Sequence, residues 1–354
     1  MDNKILHIAP IEKFIPSFIN LIKNHFPSEQ HTIFTVGNYD KYPYTQAENT
    51  IHFEKFNSYK TLYHLLRALH SHKKIILHGL FTHQLTMLLC FMPWLHKKCQ
   101  WVIWGSDLYY HQLAVKNTRY RLIEMLRKVL ISRLSGFITY VDGDYHKAQQ
   151  WYGAKGRLYE CIVYKSNVYV GNELSGAELL NSSLAHAKLN LLVGNSSDPT
   201  NNHQDIFKRL LELDVDKLVG KIYCPLSYGN HEYAREIKKL GEALFGDKFH
   251  PLMGFIPLIE YNKILDEIDI AIFAHNRQQA MGNIINLLGR GKTVYMRSDT
   301  SSYFLFAKLG IQVFSIEHLA LNVQSSNVSI RNNENVRDYF SEENLVKQWL
   351  KIFT

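Results

Sequence analysis

The chain has 354 residues, more than one hydrophobic core usually serves, and its 46% hydrophobic and 20% charged content excludes a disordered or fibrous protein. A formal net charge of +8 is compatible with anionic small molecules, anionic lipid surfaces or nucleic acid, and does not choose among them. The four cysteines, Cys90, Cys99, Cys161 and Cys224, form no CxxC pair, so neither a disulfide framework nor a zinc site is expected, and a reducing compartment is.

In chain order, a strand pattern begins at residues 5–9 without the features of a secretory leader. Strand patterns recur at 32–36, 75–78, 101–104 and 137–140, with helical patterns at 59–70 and 122–134 among them. The most apolar stretch, 85–95, is broken by Pro93 and too short to cross a bilayer, so the expectation is a cytoplasmic protein with peripheral membrane contact at most. Residues 166–188 are polar and glycine-containing and read as a linker. A second alternation follows, with strands at 189–193, 221–224, 270–273, 293–296 and 312–314. Helices are expected at 202–213, 231–244, 259–267 and 280–288, and an amphipathic one at 341–353. Alternation of this kind predicts parallel sheets covered by helices. The predicted class is α/β, with two Rossmann-like doubly wound domains facing a cleft: residues 1–165, the linker 166–188, residues 189–335, and a C-terminal helix over 336–354.

Two loops of the second half are candidates for phosphate binding. Gly194 ends a buried strand and permits a sharp turn, after which Asn195, Ser196 and Ser197 present short donors before a helix start. An ordinary turn capped by Asp198 or Asn202 has the same spelling. The segment Ala274-His275-Asn276-Arg277-Gln278-Gln279-Ala280-Met281-Gly282-Asn283 also joins a strand to a helix. Arg277 offers a fork of donors with a fixed charge, Gln278 and Gln279 can donate to phosphate or hydroxyl oxygens, and Gly282 lets backbone approach a ligand beside Asn283. Two such loops in one half point to a diphosphate pocket.

The first half offers His78-Gly79-Leu80-Phe81 and Trp104-Gly105-Ser106-Asp107-Leu108-Tyr109, each after a strand. Asp107 and His78 are the candidates for a general base, with a helix cap and a buried structural histidine as the competing readings. Trp104, Tyr109 and Phe81 are candidates to stack on a ring of the substrate. Asp142 and Asp144 form an Asp-x-Asp pair that reads as a helix cap, and no metal is expected. Residues 118–133 spell a basic amphipathic helix suited to an anionic membrane surface.

Taken in sequence, His78-Gly79-x-Phe81, Trp104-Gly105-Ser106-Asp107-Leu108-Tyr109, Leu192-Val193-Gly194-Asn195-Ser196-x-Asp198 and Arg277-Gln278-Gln279 with Gly282 resemble glycosyltransferase family 56, the 4-alpha-L-fucosyltransferase group. The resemblance runs from about residue 70 to residue 320 and departs at Ser197 and Ala280, where the family pattern has glycine. It implies a two-domain GT-B fold whose second domain binds a dTDP-sugar and whose first lies on the acceptor side. It further implies transfer of 4-acetamido-4,6-dideoxygalactose to a lipid-linked saccharide of enterobacterial common antigen, or of an O-antigen or capsule. No metal, no other cofactor and no nucleic acid belong to that picture, and the protein would sit peripherally on the cytoplasmic face of the bacterial inner membrane. A sugar-nucleotide epimerase with the same paired domains is the alternative. A nucleic-acid-binding protein ranks last, because the basic residues are dispersed.

Overall fold

The computed structural model describes residues 4–175 and 188–354. Residues 176–187, within the expected linker, lie outside the described residues. The chain divides into two compact units, Met1–Val168 with Glu342–Thr354, and Tyr169–Ser341.

The first unit is built on β1 (Ile5–Pro10), β2 (His31–Val36), β3 (Thr50–Phe53), β4 (Lys74–His78), β5 (Cys99–Val102), β6 (Gly136–Ile138) and β7 (Arg157–Tyr159). All pairings are parallel, in the order β3-β2-β1-β4-β5-β6-β7. Parallel strands need crossover helices, and these bury both faces of the sheet. One face packs Leu6, Ile8, Leu77, Trp101 and Phe137 against Leu65, Leu89, Leu130 and Tyr145 from four helices. Over the other face lie the helices Ile15–His25 and Glu342–Phe353, which bring Phe18 and Trp349 onto His7 and His78.

The second unit repeats the plan with β8 (Leu189–Val193), β9 (Val219–Pro225), β10 (Phe249–Leu252), β11 (Ile270–Phe273), β12 (Thr293–Met296) and β13 (Phe314–Ser315). Its strands are again parallel, in the order β10-β9-β8-β11-β12-β13. The central strands β8 and β11 are buried and, apart from Asn190, apolar, which is why their pattern is plain in the sequence. Three strands that pattern did not reveal, β3, β7 and β10, lie at sheet edges, where strands are short and tolerate polar residues. In β10, Pro251 is accommodated because an edge strand can spare an N–H.

The last helix closes the first unit. Trp349 is fully buried and its Nε1 donates to the Val163 carbonyl at 2.9 Å, while Gln348 Oε1 accepts from the Ile162 N–H at 2.8 Å. Glu342 pairs with Lys165 at 2.5 Å, and Lys74 Nζ donates to the Ile352 carbonyl. Truncating Trp349 removes a large buried side chain and leaves a carbonyl without its donor, so Trp349→Ala is expected to cost about 3–5 kcal/mol of stability. Phe304→Ala, at a side chain left 61% exposed, is expected to stay within about 0.5 kcal/mol. Urea unfolding of the two variants checks the contrast.

Candidate functional site

In a doubly wound sheet the ligand-binding crevice opens at the carboxyl ends of the two strands where the winding reverses. In the second unit these strands are β8 and β11, and the loops that leave them are the two marked in the sequence as phosphate-binding. The loops are stitched to one another. Asn202 Nδ2 donates to the Ala274 carbonyl at 2.6 Å and to Asn276 Oδ1 at 2.8 Å, and the Asn276 N–H donates to the Thr200 carbonyl at 3.2 Å. Asn201, fully buried, accepts the Asn195 N–H at 2.9 Å and pairs with His275 Nε2 at 2.9 Å.

On this base the predicted donors converge. Asn283 Nδ2 bridges Asn195 Oδ1 at 3.0 Å and the Tyr261 hydroxyl at 3.1 Å. Gln279 accepts from Thr200 Oγ1 at 3.0 Å and donates to Ser196 Oγ at 3.4 Å. Gln278 Oε1 is buried and has no hydrogen-bond partner among the described residues. Arg277 meets Asp198 at 3.2 Å through one nitrogen and donates to the Gln278 carbonyl through another. Burial pushes the Asp198 carboxyl up, but hydrogen bonds from Thr200 and the Arg277 charge more than offset this and hold it below its usual range. Asp198 is the only carboxylate in the two loops. Tyr228, from the loop after β9, hydrogen-bonds Asn195 and Ser196 and feels the Arg277 charge; desolvation raises its pKa. Tyr228 and Tyr261 carry no motif and were not marked in the sequence.

The backbone of these loops is constrained. Gly194 has φ +70°, and a Cβ there would sit 2.3 Å from His203 Nε2, so glycine is required twice over. Ala280, immediately before the helix Met281–Gly289 that contains Gly282 and Asn283, has φ +59°, which an L-residue with a Cβ adopts at a cost. That helix start leaves the N–H groups of Met281, Gly282 and Asn283 without intrahelical acceptors, a ready place for anionic oxygens.

In the first unit the winding reverses between β1 and β4. Phe14, before the first helix, packs on Trp104 at 4.6 Å, and Phe81 packs on Trp104 at 5.0 Å. Phe81 is 39% exposed and Trp104 is half-buried, so the two predicted ring-stacking residues are brought together with Phe14, which was not marked. Tyr109 is corrected: it is buried in the core, with its hydroxyl donating to Asp144 Oδ1 at 3.2 Å, and has no face to offer.

Asp107 and His78 are also corrected as bases. The Asp107 side chain is 2% exposed and accepts four N–H bonds, from Leu80 (2.9 Å) and the Trp101 indole (2.7 Å) on Oδ2 and from Trp104 (3.0 Å) and Leu108 (2.9 Å) on Oδ1. Buried Arg127 clamps the same turn by donating to the Leu80 and Asp107 carbonyls at 2.9 and 2.7 Å. Burial pushes the Asp107 carboxyl up against the pull of the Leu80 N–H and the Arg127 charge, and the four bonds leave no lone pair for a substrate hydroxyl. Asp107 fixes the loops that carry Phe81 and Trp104. His78 is fully buried, between His7 at 3.1 Å and the Tyr164 hydroxyl at 2.7 Å, and desolvation lowers it to about 3.

Asp142 and Asp144 lie in the first turn of the helix Asp142–Tyr152. Among the described residues no cluster of three or more His, Cys, Asp or Glu could hold a metal, and no helix is long and apolar enough to cross a membrane. The helix Thr118–Ile131 leaves Leu122 and Met125 each 56% exposed, with Arg119, Arg121 and Lys128 exposed beside them.

Paired doubly wound parallel sheets of this kind occur in solved glycosyltransferases. HepE of Anabaena, solved with UDP-glucose, matches with a TM-score of 0.67 at 12% identity over 99% of this chain and 98% of that one. WaaG, a glycosyltransferase involved in lipopolysaccharide biosynthesis, matches with a TM-score of 0.61 at 11% identity, again over 99% and 98%. A glycosyltransferase from Rickettsia africae gives 0.63 at 12% over the same shares. At such identities the likeness is one of fold, and the fold is GT-B. The protein is a glycosyltransferase that uses a nucleotide sugar. Within that class it belongs to glycosyl transferase group 56, the 4-alpha-L-fucosyltransferase family, whose pattern matches residues 8–343.

Three measurements check this geometry. Ala280→Gly removes a strained Cβ and should raise stability by about 1 kcal/mol, read as a higher Tm. Asp107→Asn sets an NH2 against N–H donors and should cost about 3 kcal/mol in unfolding free energy. Desolvation lowers His31 to about 4 as it lowers His78, so between pH 6.5 and 4 the unfolded chain binds more protons than the folded one. Stability should therefore fall on acidification from pH 6.5, by up to about 1.4 kcal/mol per pH unit for each histidine, and flatten below the folded values. A stability–pH profile without that slope would contradict the neutral burial of these rings.

Proposed function

We propose that the enzyme transfers a deoxyamino sugar, such as 4-acetamido-4,6-dideoxygalactose, from a dTDP donor to a lipid-diphosphate-linked saccharide in surface polysaccharide synthesis. One observation carries the reading. The loops after β8 and β11 meet at the reversal point of the second sheet and join Asn195, Ser196, Gln279 and Asn283 in one hydrogen-bonded cluster, with Arg277 at its side. As the sugar leaves, negative charge grows on the diphosphate, and a preset guanidinium with oriented N–H groups stabilises that charge more than the ground state. Gly194 and Gly282 allow the backbone to come close. The Arg277–Asp198 pair keeps the guanidinium in place, and its remaining N–H groups turn to phosphate oxygens.

On the acceptor side, Trp104, Phe81 and Phe14 supply an aromatic surface for a sugar ring. With Asp107 and His78 saturated, the carboxylate suited to take the acceptor proton is Glu12. It lies in the loop after β1, at the reversal point of the first sheet and two residues from Phe14. It is half-buried and makes no side-chain hydrogen bond or ion pair among the described residues. The exposed Leu122 and Met125 with their neighbouring arginines and lysine would rest on the anionic inner-membrane surface at its cytoplasmic face, where a lipid-linked acceptor is held.

A thermal-shift panel tests the donor. At about one hundred times its Kd, dTDP should stabilise the protein by about 2.7 kcal/mol, with UDP and GDP giving less and EDTA changing nothing. Arg277→Ala should abolish the dTDP shift. Equal shifts from all three nucleotides, or a need for a divalent metal, would reject this donor reading. Glu12→Gln should lower kcat by about 10²–10⁴-fold and leave the donor KM nearly unchanged; an unaltered kcat would remove Glu12 from the base role.

A further inference from the structure

A file of hydrogen-bonded side chains crosses the first sheet on the face covered by Phe18 and Trp349. His7 on β1 is in register with Ile33 on β2 and Ile76 on β4, so His31, two residues before the one, and His78, two residues after the other, share its face on a diagonal. His31 Nδ1 lies 3.0 Å from His7 Nε2, His7 Nδ1 lies 3.1 Å from His78 Nε2, and His78 Nδ1 lies 2.7 Å from the Tyr164 hydroxyl. The Trp104 indole donates to that hydroxyl at 2.9 Å. The diagonal thus runs from the amino end of β2 to the carboxyl edge where the aromatic surface lies.

Donor counting fixes every proton in the file. An indole N–H can only donate, so the Tyr164 oxygen accepts from Trp104, and the hydroxyl proton is left to donate to His78 Nδ1. His78 then carries its proton on Nε2 and donates to His7, which carries its own on Nε2 and donates to His31. The opposite tautomers would strand the Tyr164 proton, for which there is no other acceptor among the described residues. Tyr164 is itself held under strain: it follows Val163, whose φ of +68° is rare for a β-branched residue, and the Trp349 and Gln348 bonds to Val163 and Ile162 hold that turn. A row of buried imidazoles costs more desolvation than the leucines that would fill the same layer. The only member of the file that reaches the partly exposed edge is Trp104.

We propose that His31, His7, His78 and Tyr164 act as one hydrogen-bonded brace that sets the tilt of the Trp104 indole, which makes Tyr164, His78 and His7 positioning residues for the acceptor sugar. This rests on the reading of the first unit as the acceptor side. Tyr164→Phe removes the indole's acceptor and His78→Leu the acceptor that fixes the Tyr164 hydroxyl beneath it, whereas His78→Asn keeps an acceptor oxygen near the place of Nδ1.

The test uses the full-length enzyme and the indole N–H resonances, with that of Trp104 assigned by Trp104→Phe. In Tyr164→Phe and His78→Leu the Trp104 resonance should move and its exchange with water should quicken by about tenfold or more, as for the loss of one buried hydrogen bond. The KM for a short polyprenyl-diphosphate disaccharide should rise about tenfold on the same ground, while the dTDP-induced thermal shift is retained as the check of folding. His78→Asn should bring both readouts most of the way back. An unmoved Trp104 resonance in Tyr164→Phe, or His78→Asn as impaired as His78→Leu, overturns the brace. The resonance needs no substrate, so if the disaccharide is not turned over by the parent enzyme, that result counts against the acceptor assignment and the indole readout still decides the brace.

Discussion

A parallel sheet that winds outward in both directions from its middle must part its crossover helices at the strands where winding reverses, and no hydrogen bond of the sheet can close that gap. The candidate sites of both units lie at that gap. In the second unit it separates the exits of β8 and β11 and leaves two polar loops to join each other sideways, through Asn201, Asn202 and Asn283. In the first it separates the exits of β1 and β4, and the gap is lined by Phe14, Phe81 and Trp104. The gap of the second unit is rich in hydrogen-bond donors and that of the first is lined by rings.

The rigid part of the first unit is organised around Asp107. Its four accepted bonds join the turn after β4, the indole on β5 and the turn after β5, and Arg127 locks two of the same carbonyls from the neighbouring helix. A buried carboxylate is tolerable only when so fully satisfied, and the same saturation bars it from chemistry. Structural charge and catalytic charge compete for the same lone pairs.

That competition also marks how far the sequence could be read. The alternation of buried runs and helical patterns located nearly every central strand, since those strands are mostly apolar and buried, while the edge strands β3, β7 and β10 escaped because edges relax the rule. Gly194 was legible as a turn glycine, and the structure adds that His203 stands where its Cβ would go. Asp107 was not legible, because a base and a loop anchor both appear as an acid just after a strand. The difference resides in Leu80 and Arg127, each twenty or more positions away. Tyr109 failed for the same reason: an aromatic ring in a loop motif may face either solvent or Asp144, and only packing decides. Tyr228 and Phe14 come from other loops and Tyr261 from the helix Leu258–Glu267, and none of them shares a motif with the two sites.

The closing helix Glu342–Phe353 has a consequence for how the chain comes to be folded. It belongs to the first unit although the whole second unit precedes it in synthesis. A nascent first unit lacks the cover for His7, His78 and the Val163 turn until those residues emerge, and it must wait with that face open to solvent or to chaperones. The second unit, continuous in sequence, can complete its core meanwhile. Cover of the Tyr164 turn therefore follows synthesis of the second unit, and a chain cut short before Glu342 would lose that ordered turn while keeping the loops after β8 and β11.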